Sequence, residues 1–92
     1  MTACRVIVRG KVQGVGFRWF VRERARRLGL AGRVRNNPDG SVEVEASGDA
    51  TGIETLLAAL RVGPAGADVQ GLETLAPMTD GAMLPTPFTI ER

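Results

Sequence analysis

Between Val8 and Phe20 the hydrophobic pattern changes from the period of a strand to the period of a helix. Residues 4–12 are rich in β-branched side chains and predict a strand. From Phe17 onward, apolar residues recur at offsets 0, 3, 4, 8 and 11, which is one face of an α-helix. The change of period requires a tight connection between strand and helix, and this connection contains Gly10, Gly14 and Gly16.

The glycine-rich connection is a candidate anion site. Glycine adopts backbone angles that a Cβ would forbid, so successive N–H groups can turn toward one point. The first turn of the following helix adds unpaired N–H groups and the positive end of the helix dipole. Arg18 lies in that turn, where a cation is disfavoured by about 0.3–1 kcal/mol unless an anion lies beside it. Phosphate is the anion that fits such a loop and a planar guanidinium best.

The remainder of the chain predicts a hairpin, a second helix and two more strands. Gly29 ends the first helix, and strands at 32–37 and 41–47 flank a Pro-Asp-Gly turn at 38–40. The further elements are a helix with a capping box of Thr51 and Glu54 and an end at Gly63-Pro64, strands within 67–75 and 87–91, and a loop at 76–85 between those strands.

This order of elements, β-α-β-β-α-β plus a C-terminal strand, predicts one domain over residues 1–92. Two crossover helices on one face of a mainly antiparallel sheet give the α+β class. The architecture is the ferredoxin-like split βαβ sandwich.

Composition narrows the chemistry that this domain can perform. The chain has no histidine and one cysteine, Cys4, so it lacks a catalytic triad, imidazole metal ligands and an internal disulfide. We expect Cys4 to be a buried, inert thiol in the first strand. No apolar run approaches the length of about 18 residues that suggests a membrane span, and the expected location is the cytoplasm.

The charges are distributed unevenly along the chain. Residues 1–36 carry ten basic side chains and one acidic side chain, whereas residues 37–92 carry two basic and nine acidic ones. The part of the chain that contains the glycine-rich connection is therefore the part that would attract an anionic ligand.

Two long segments make the chain resemble a known family. GKVQGVGFR runs from Gly10 to Arg18, and GRVRNNPDGSVEVEASG runs from Gly32 to Gly48. Together with residues 63–64 and 88–90, they make the chain similar to the acylphosphatase family over nearly its whole length. The resemblance implies the same ferredoxin-like fold. It also implies a stand-alone enzyme that hydrolyses acyl phosphates, which are carboxyl-phosphate anhydrides, to a carboxylate and inorganic phosphate.

The resemblance also implies roles for individual residues. Arg18 matches the substrate-binding arginine of the family, and Asn36 matches the asparagine that positions the attacking water. The chain departs from the family pattern at Arg33, where a bulky apolar residue is common, and at Gly16, where a larger residue is often found. The phosphate-binding loop, which acts mainly through its backbone amides, matches Lys11, Val12, Gln13, Gly14, Val15, Gly16 and Phe17.

The expected partners follow from the same resemblance. We expect a small acyl phosphate as substrate and inorganic phosphate as product and inhibitor, with no metal and no cofactor. We expect no nucleic-acid or membrane partner, and a monomer.

Two other functions fit parts of the sequence. RNA-recognition domains share this fold, and the first helix is rich in arginine. Their sheets, however, stack bases on aromatic residues, which 4–12 and 41–47 lack. The other is a regulatory or interaction domain that retains the phosphate loop.

Several nearby side chains have simpler expected roles. Trp19 and Phe20 are expected to pack, and Asn37 to serve the turn. The remaining arginines are expected to be solvated: Arg22, Arg24, Arg26, Arg27 and Arg35.

Overall fold

The computed structural model describes residues 1–77 and 83–91, and these residues form one five-stranded sheet and two helices. The elements are β1 (Thr2–Lys11), α1 (Phe17–Arg27), β2 (Ala31–Asn36), β3 (Val42–Gly48), α2 (Ala50–Val62), β4 (Asp68–Leu75) and β5 (Thr89–Ile90). Helix α1 connects β1 to β2, and α2 connects β3 to β4. Neighbouring strands are antiparallel except β2 and β5, which are parallel. The sheet order is β4-β1-β3-β2-β5, which confirms the predicted ferredoxin-like α+β fold.

The core lies between the two helices and one face of the sheet. Side chains alternate between the faces of a strand, so the apolar members of each strand collect on the face that the helices cover. Helix α1 contributes Phe17, Val21 and Ala25, as its predicted apolar face requires. The same buried cluster includes Val6, Val8, Val34, Val42, Val44, Ile53, Leu56, Leu60 and Phe88. Removal of this apolar surface from water holds the helices on the sheet.

The opposite face of the sheet carries a set of ion pairs that we call the outer network. Arg5 Nε lies 2.9 Å from a carboxylate oxygen of Glu43, and an Arg33 guanidinium nitrogen lies 3.0 Å from one of Glu45. The Glu45 side chain is only 4% exposed, so its charge is compensated where water has little access. The members of the network are Arg5, Arg33, Arg35, Glu43, Glu45 and Glu91.

Several local predictions are confirmed and others need correction. Cys4 is buried, as expected, and this burial raises the pKa of its thiol. The predicted capping box is wrong, because α2 begins at Ala50 after Asp49 and Thr51 therefore lies inside the first turn. No side chain caps this helix. Residues 78–82 of the predicted loop at 76–85 lie outside the described residues, and its described part contains no strand.

The side chains of α1 also differ from prediction. Trp19 is 58% exposed and does not pack into the core, whereas Phe20 lies against it. Four of the five arginines predicted to be solvated have partners: Arg22 and Arg35 form ion pairs, and two others on α1 contact Phe20 and Phe88. The Arg24 guanidinium lies 4.8 Å from the centre of the Phe20 ring, and Arg26 Nε donates a hydrogen bond of 2.8 Å to the carbonyl of Phe88.

Candidate active site

The topology brings the glycine-rich loop beside the end of β2. Strands β1 and β2 are both antiparallel to β3, which lies between them, so they run in the same direction and end at the same edge of the sheet. The loop leaves β1 after Lys11, and Asn36 is the last residue of β2. A cavity of about 230 Å³ opens there, lined by Val12, Gly14, Gly16, Phe17, Arg18, Trp19, Asn36 and Ile90.

The predicted site residues therefore fall into two groups. Arg18 and Asn36 meet at one cavity, although 18 positions separate them in the chain. Of the predicted phosphate-loop residues, Val12, Gly14, Gly16 and Phe17 line the same cavity. Lys11, Gln13 and Val15 do not line it; Lys11 is the exposed last residue of β1, and the role of Gln13 is described below.

The loop has the open amides that an anion requires. Gly14 and Gly16 have φ angles of +76° and +75°, and no residue other than glycine adopts positive φ in the described part of the chain. The first helical hydrogen bond of α1 runs from the N–H of Phe20 to the carbonyl of Gly16 at 3.0 Å. Within the described residues, the N–H groups of 13–19 form no backbone hydrogen bond. These groups are free to bind a ligand at the positive end of the helix dipole.

Gly10 fixes where this loop starts. The register of β1 with β4 shifts between Arg9 and Gly10, and Gly10 has a φ of +126°. A Cβ at this position would collide with the backbone carbonyl of Asp68. Glycine is therefore required for β1 to bend here, and the bend directs the chain into the loop.

Gln13 ties the loop to the hairpin between β2 and β3. Its side-chain amide donates hydrogen bonds of 2.8 Å to the carbonyl of Asn37 and 2.9 Å to the carbonyl of Ser41. The sequence places Gln13 in the loop without indicating this contact, because the acceptors are backbone atoms 24 and 28 positions away. The hairpin that follows Asn36 is thus held to the loop directly.

Arg18 is a half-buried arginine whose guanidinium has no hydrogen-bond or ion-pair partner among the described residues. The first turn of α1 contains no acidic residue that could pair with it. One turn later, Arg22 forms an ion pair of 3.3 Å with Glu23. The donors of Arg18 are therefore available at the cavity, beside the open amides of the loop.

Asn36 and Asn37 are neighbours with opposite environments. The Asn36 amide lines the cavity and makes no hydrogen bond within residues 1–77 and 83–91. The Asn37 amide donates to the Ser41 hydroxyl at 3.1 Å and to Glu43 at 3.3 Å. Asn37 is therefore part of the turn, as predicted, and Asn36 is free to bind a ligand or water.

The turn after these asparagines is rigid. Asp39 accepts hydrogen bonds from the side-chain hydroxyl of Ser41 at 2.6 Å and from its backbone N–H at 3.0 Å. These bonds, with a smaller effect from Arg9, hold the pKa of Asp39 below its ordinary value. Because Gln13 is bound to the same turn, the loop and Asn36 share one fixed support.

Two residues that line the cavity were not predicted from the sequence to lie there. The sequence predicts that Trp19 packs, and it predicts Ile90 as part of the last strand and of the segment that matches the family. Ile90 reaches the cavity because β5 pairs with β2, with Ile90 opposite Val34. The one feature of the sequence that could have indicated that Trp19 lies at the cavity is its position next to Arg18.

No three His, Cys, Asp or Glu side chains within residues 1–77 and 83–91 lie close enough together to hold a metal ion. Neither helix is long and apolar enough to cross a bilayer. The predicted absence of a metal and the cytoplasmic location remain predictions.

Comparison with known proteins gives one consistent result. The acylphosphatase family model matches residues 4–90. A protein from Rhizobium etli named acylphosphatase is 51% identical over 72 residues, which are 78% of this chain and 77% of that protein. Another with the same name from Acidiphilium cryptum is 53% identical over 83% of this chain and 85% of its own length. The crystal structure of acylphosphatase from Bacillus subtilis covers 100% of both chains, with a TM-score of 0.90 and 34% identity.

Proposed function

Since the chain belongs to the acylphosphatase family of enzymes, we propose that it hydrolyses acyl phosphates with the residues of the cavity described above. In this mechanism the loop amides and Arg18 bind the phosphate, and Asn36 positions the attacking water. The observation that carries the proposal is that Arg18 and Asn36 line one cavity with the loop and have no other partner among the described residues.

Phosphate binding uses charge that is already in place. The N–H groups of the loop and the first turn of α1 are already open, and Gln13 holds the loop to the hairpin, so these groups need little rearrangement to meet an anion. The planar Arg18 guanidinium offers parallel donors to two phosphate oxygens. Both contacts strengthen as charge develops on the equatorial oxygens of the transition state.

Asn36 suits the role of placing water. Its amide can accept a hydrogen bond from water through oxygen and donate one through nitrogen, so one side chain can orient the nucleophile. Correct placement of a nucleophile can supply several kcal/mol of a barrier. The rigid turn that follows Asn36 and the Gln13 contacts favour a fixed position for it.

Departure of the leaving group and removal of the proton from water need no further catalytic side chain. The leaving group is a carboxylate, which is a weak base, so it departs without a strong general acid. None of the residues that line the cavity is a carboxylic acid, and the phosphate of the substrate can itself accept the proton of the water. Arg18 and the amides supply the positive charge, and we therefore propose that no metal or cofactor takes part.

The other expectations are part of the same proposal. A cavity of about 230 Å³ is below the range of about 300–1,000 Å³ that holds drug-sized ligands, which favours a small substrate. Inorganic phosphate shares the binding group of the substrate and should inhibit competitively. The outer network carries ion pairs where an RNA-binding sheet would carry aromatic residues, which supports the expectation that the sheet binds no nucleic acid. The monomeric state and the cytoplasmic location remain predictions.

Hydrolysis of benzoyl phosphate by the purified chain, with and without a chelator, tests this proposal. We expect turnover at equal rates in both conditions and competitive inhibition by inorganic phosphate. Failure to hydrolyse any small acyl phosphate would refute the enzymatic function. Loss of turnover only with the chelator would refute metal independence alone.

A further inference from the structure

The indole of Trp19 is an exposed apolar group at the mouth of the active site. Four large apolar side chains among the described residues are exposed: Met1, Trp19, Val62 and Met83. Of these, Trp19 is the one that lines the cavity. An aromatic side chain contributes most to stability when it is buried, so its exposure here adds little to the fold.

The cavity wall contains more apolar surface than phosphate binding can use. Gly14, Gly16, Arg18 and Asn36 provide its polar groups, whereas Val12, Trp19 and Ile90 provide apolar ones. A phosphate gains nothing from an apolar wall, because its charged oxygens would lose water there. The acyl part of an acyl phosphate is joined to the phosphorus through one bridging oxygen, and it carries the hydrocarbon that such a wall suits.

Secondary structure holds the apolar residues at fixed positions relative to the phosphate site. Trp19 follows Arg18 in the first turn of α1, so one helix sets the backbone positions of both residues. Ile90 lies on β5 beside β2, the strand that ends at Asn36. The elements that carry Arg18 and Asn36 therefore also set the backbone positions of Trp19 and Ile90.

We propose that Trp19 and Ile90 form a subsite for the acyl group, and that Trp19 makes the enzyme prefer acyl phosphates with an aromatic or extended hydrocarbon group over acetyl phosphate. This inference rests on the proposed function, because it takes the phosphate to be bound by the loop and Arg18. An aromatic acyl group gains by stacking on the indole, whereas the methyl of acetyl phosphate covers little of it.

The first test compares two substrates. We expect Trp19→Ala to lower the ratio of kcat/KM for benzoyl phosphate to kcat/KM for acetyl phosphate by about three- to tenfold, the loss expected for one aromatic pair. Trp19→Phe should recover most of the ratio, because a ring remains at this position. The matched control is Val62→Ala, which removes another exposed apolar side chain at the end of α2 and should leave the ratio unchanged.

The outcomes separate this inference from the proposed function. If the wild type hydrolyses both substrates and Trp19→Ala leaves their ratio unaltered, the subsite is refuted and the proposed function stands. A fall of equal size for both substrates would also refute it, since the indole would then act on the fold or the phosphate. If the wild type hydrolyses neither substrate, the proposed function fails and the subsite fails with it.

The second test needs no turnover. Trp19 is the only tryptophan of the chain, which also lacks tyrosine. The fluorescence excited at the long-wavelength edge of aromatic absorption therefore comes from Trp19. We expect benzylphosphonate to shift or quench this emission, and methylphosphonate at the same occupancy to leave it nearly unaltered. Equal changes with both phosphonates would mean that the indole senses only the anion, and would overturn the assignment.

Discussion

The arginines of the outer network and Arg18 differ in whether the protein supplies them with an acidic partner. Arg5, Arg33 and Arg35 each lie within 3.4 Å of a glutamate oxygen, so their donors are satisfied by the protein itself. Arg18 lies in a helix turn without an acidic residue and has no such partner in the described part of the chain. Arg18 thus differs from the outer-network arginines in being half-buried without a partner among the described residues, which leaves its donors available to a ligand.

Replacement of Arg18 should have the largest effect on activity. We expect Arg18→Ala to lower kcat/KM by about 10³-fold, because a charge-assisted contact to the transition state is lost. The melting temperature should hardly change, since the side chain has no partner in the described structure. Arg18→Lys should recover little activity, because a point charge does not reproduce the planar pair of donors.

The matched control for this prediction is Arg22→Ala on the same helix. It breaks the ion pair with Glu23 and should leave kcat/KM within about twofold. Equal losses of activity for the two variants would show that the lack of an ion-pair partner at Arg18 does not indicate a role in activity.

The next largest effect should come from Asn36. We expect Asn36→Ala to lower kcat by about 10²-fold while the inhibition constant for inorganic phosphate stays within a small factor. Asn37→Ala should behave oppositely and lower stability by about 1–2 kcal/mol, because its hydrogen bonds to Ser41 and Glu43 are lost. Steady-state kinetics and thermal unfolding of both variants check this. An Asn36→Ala variant that is slow only because it unfolds would remove the water-positioning role.

Gln13 should have an intermediate effect because it acts through other groups. We expect Gln13→Ala to lower kcat/KM by about tenfold and stability by about 1–2 kcal/mol, since the loop loses both hydrogen bonds to the hairpin. Gln13→Glu should be worse, because it turns a carboxylate toward two carbonyl oxygens. The inhibition constant for inorganic phosphate shows whether Gln13 positions the loop or only stabilises the fold. If phosphate binds to Gln13→Ala as tightly as to the wild type and kcat is unaltered, the side chain serves stability only.

The smallest effect on activity should come from the outer network. Burial works to raise the pKa of Glu43, but hydrogen bonds from Arg5 and Asn37 and the charge of Arg35 outweigh it and keep that pKa below its ordinary value. Because the pKa is lowered on folding, the stabilisation is complete above the unfolded pKa of about 4.3 and is lost as the pH falls through the folded value.

Glu43→Gln is therefore expected to lower the free energy of unfolding at neutral pH by about 1–3 kcal/mol and to flatten its decline in acid, with kcat near the wild-type value. Denaturant unfolding between pH 7 and pH 3 measures this. Glu54→Gln, at an exposed position on α2, is the control. If the free energy of unfolding depends on pH in the same way for Glu54→Gln and Glu43→Gln, the outer network does not determine the stability of the protein in acid.

The sequence predicted the elements and pointed to Arg18 and Asn36, which line one cavity, because local patterns and family motifs record them directly. Glycine spacing predicted a loop with open amides, and alternation in 41–47 predicted a strand with one buried and one wet face. The wet face is wrong: Glu43, Glu45 and Ser47 are buried, and arginines of the neighbouring strands pair with the two glutamates.

The Gln13 contacts could not be predicted, because their acceptors are backbone carbonyls, which every residue has. Trp19 was placed wrongly for a related reason. A helical pattern shows which residues can face the core, but it does not show where the neighbouring sheet ends and a cavity begins.

The place of β1 between β3 and β4 has a consequence for synthesis of the chain. Its partners β3 and β4 both come later in the chain, and its pairing with β4 extends to Leu75. At typical translation rates, the 64 positions from Lys11 to Leu75 take roughly 3–13 s to be made. β3 is complete at Gly48, so for the later part of that interval β1 has one neighbour and lacks only β4. The loop residues that would bind phosphate are thus synthesised long before the last strand that pairs with β1.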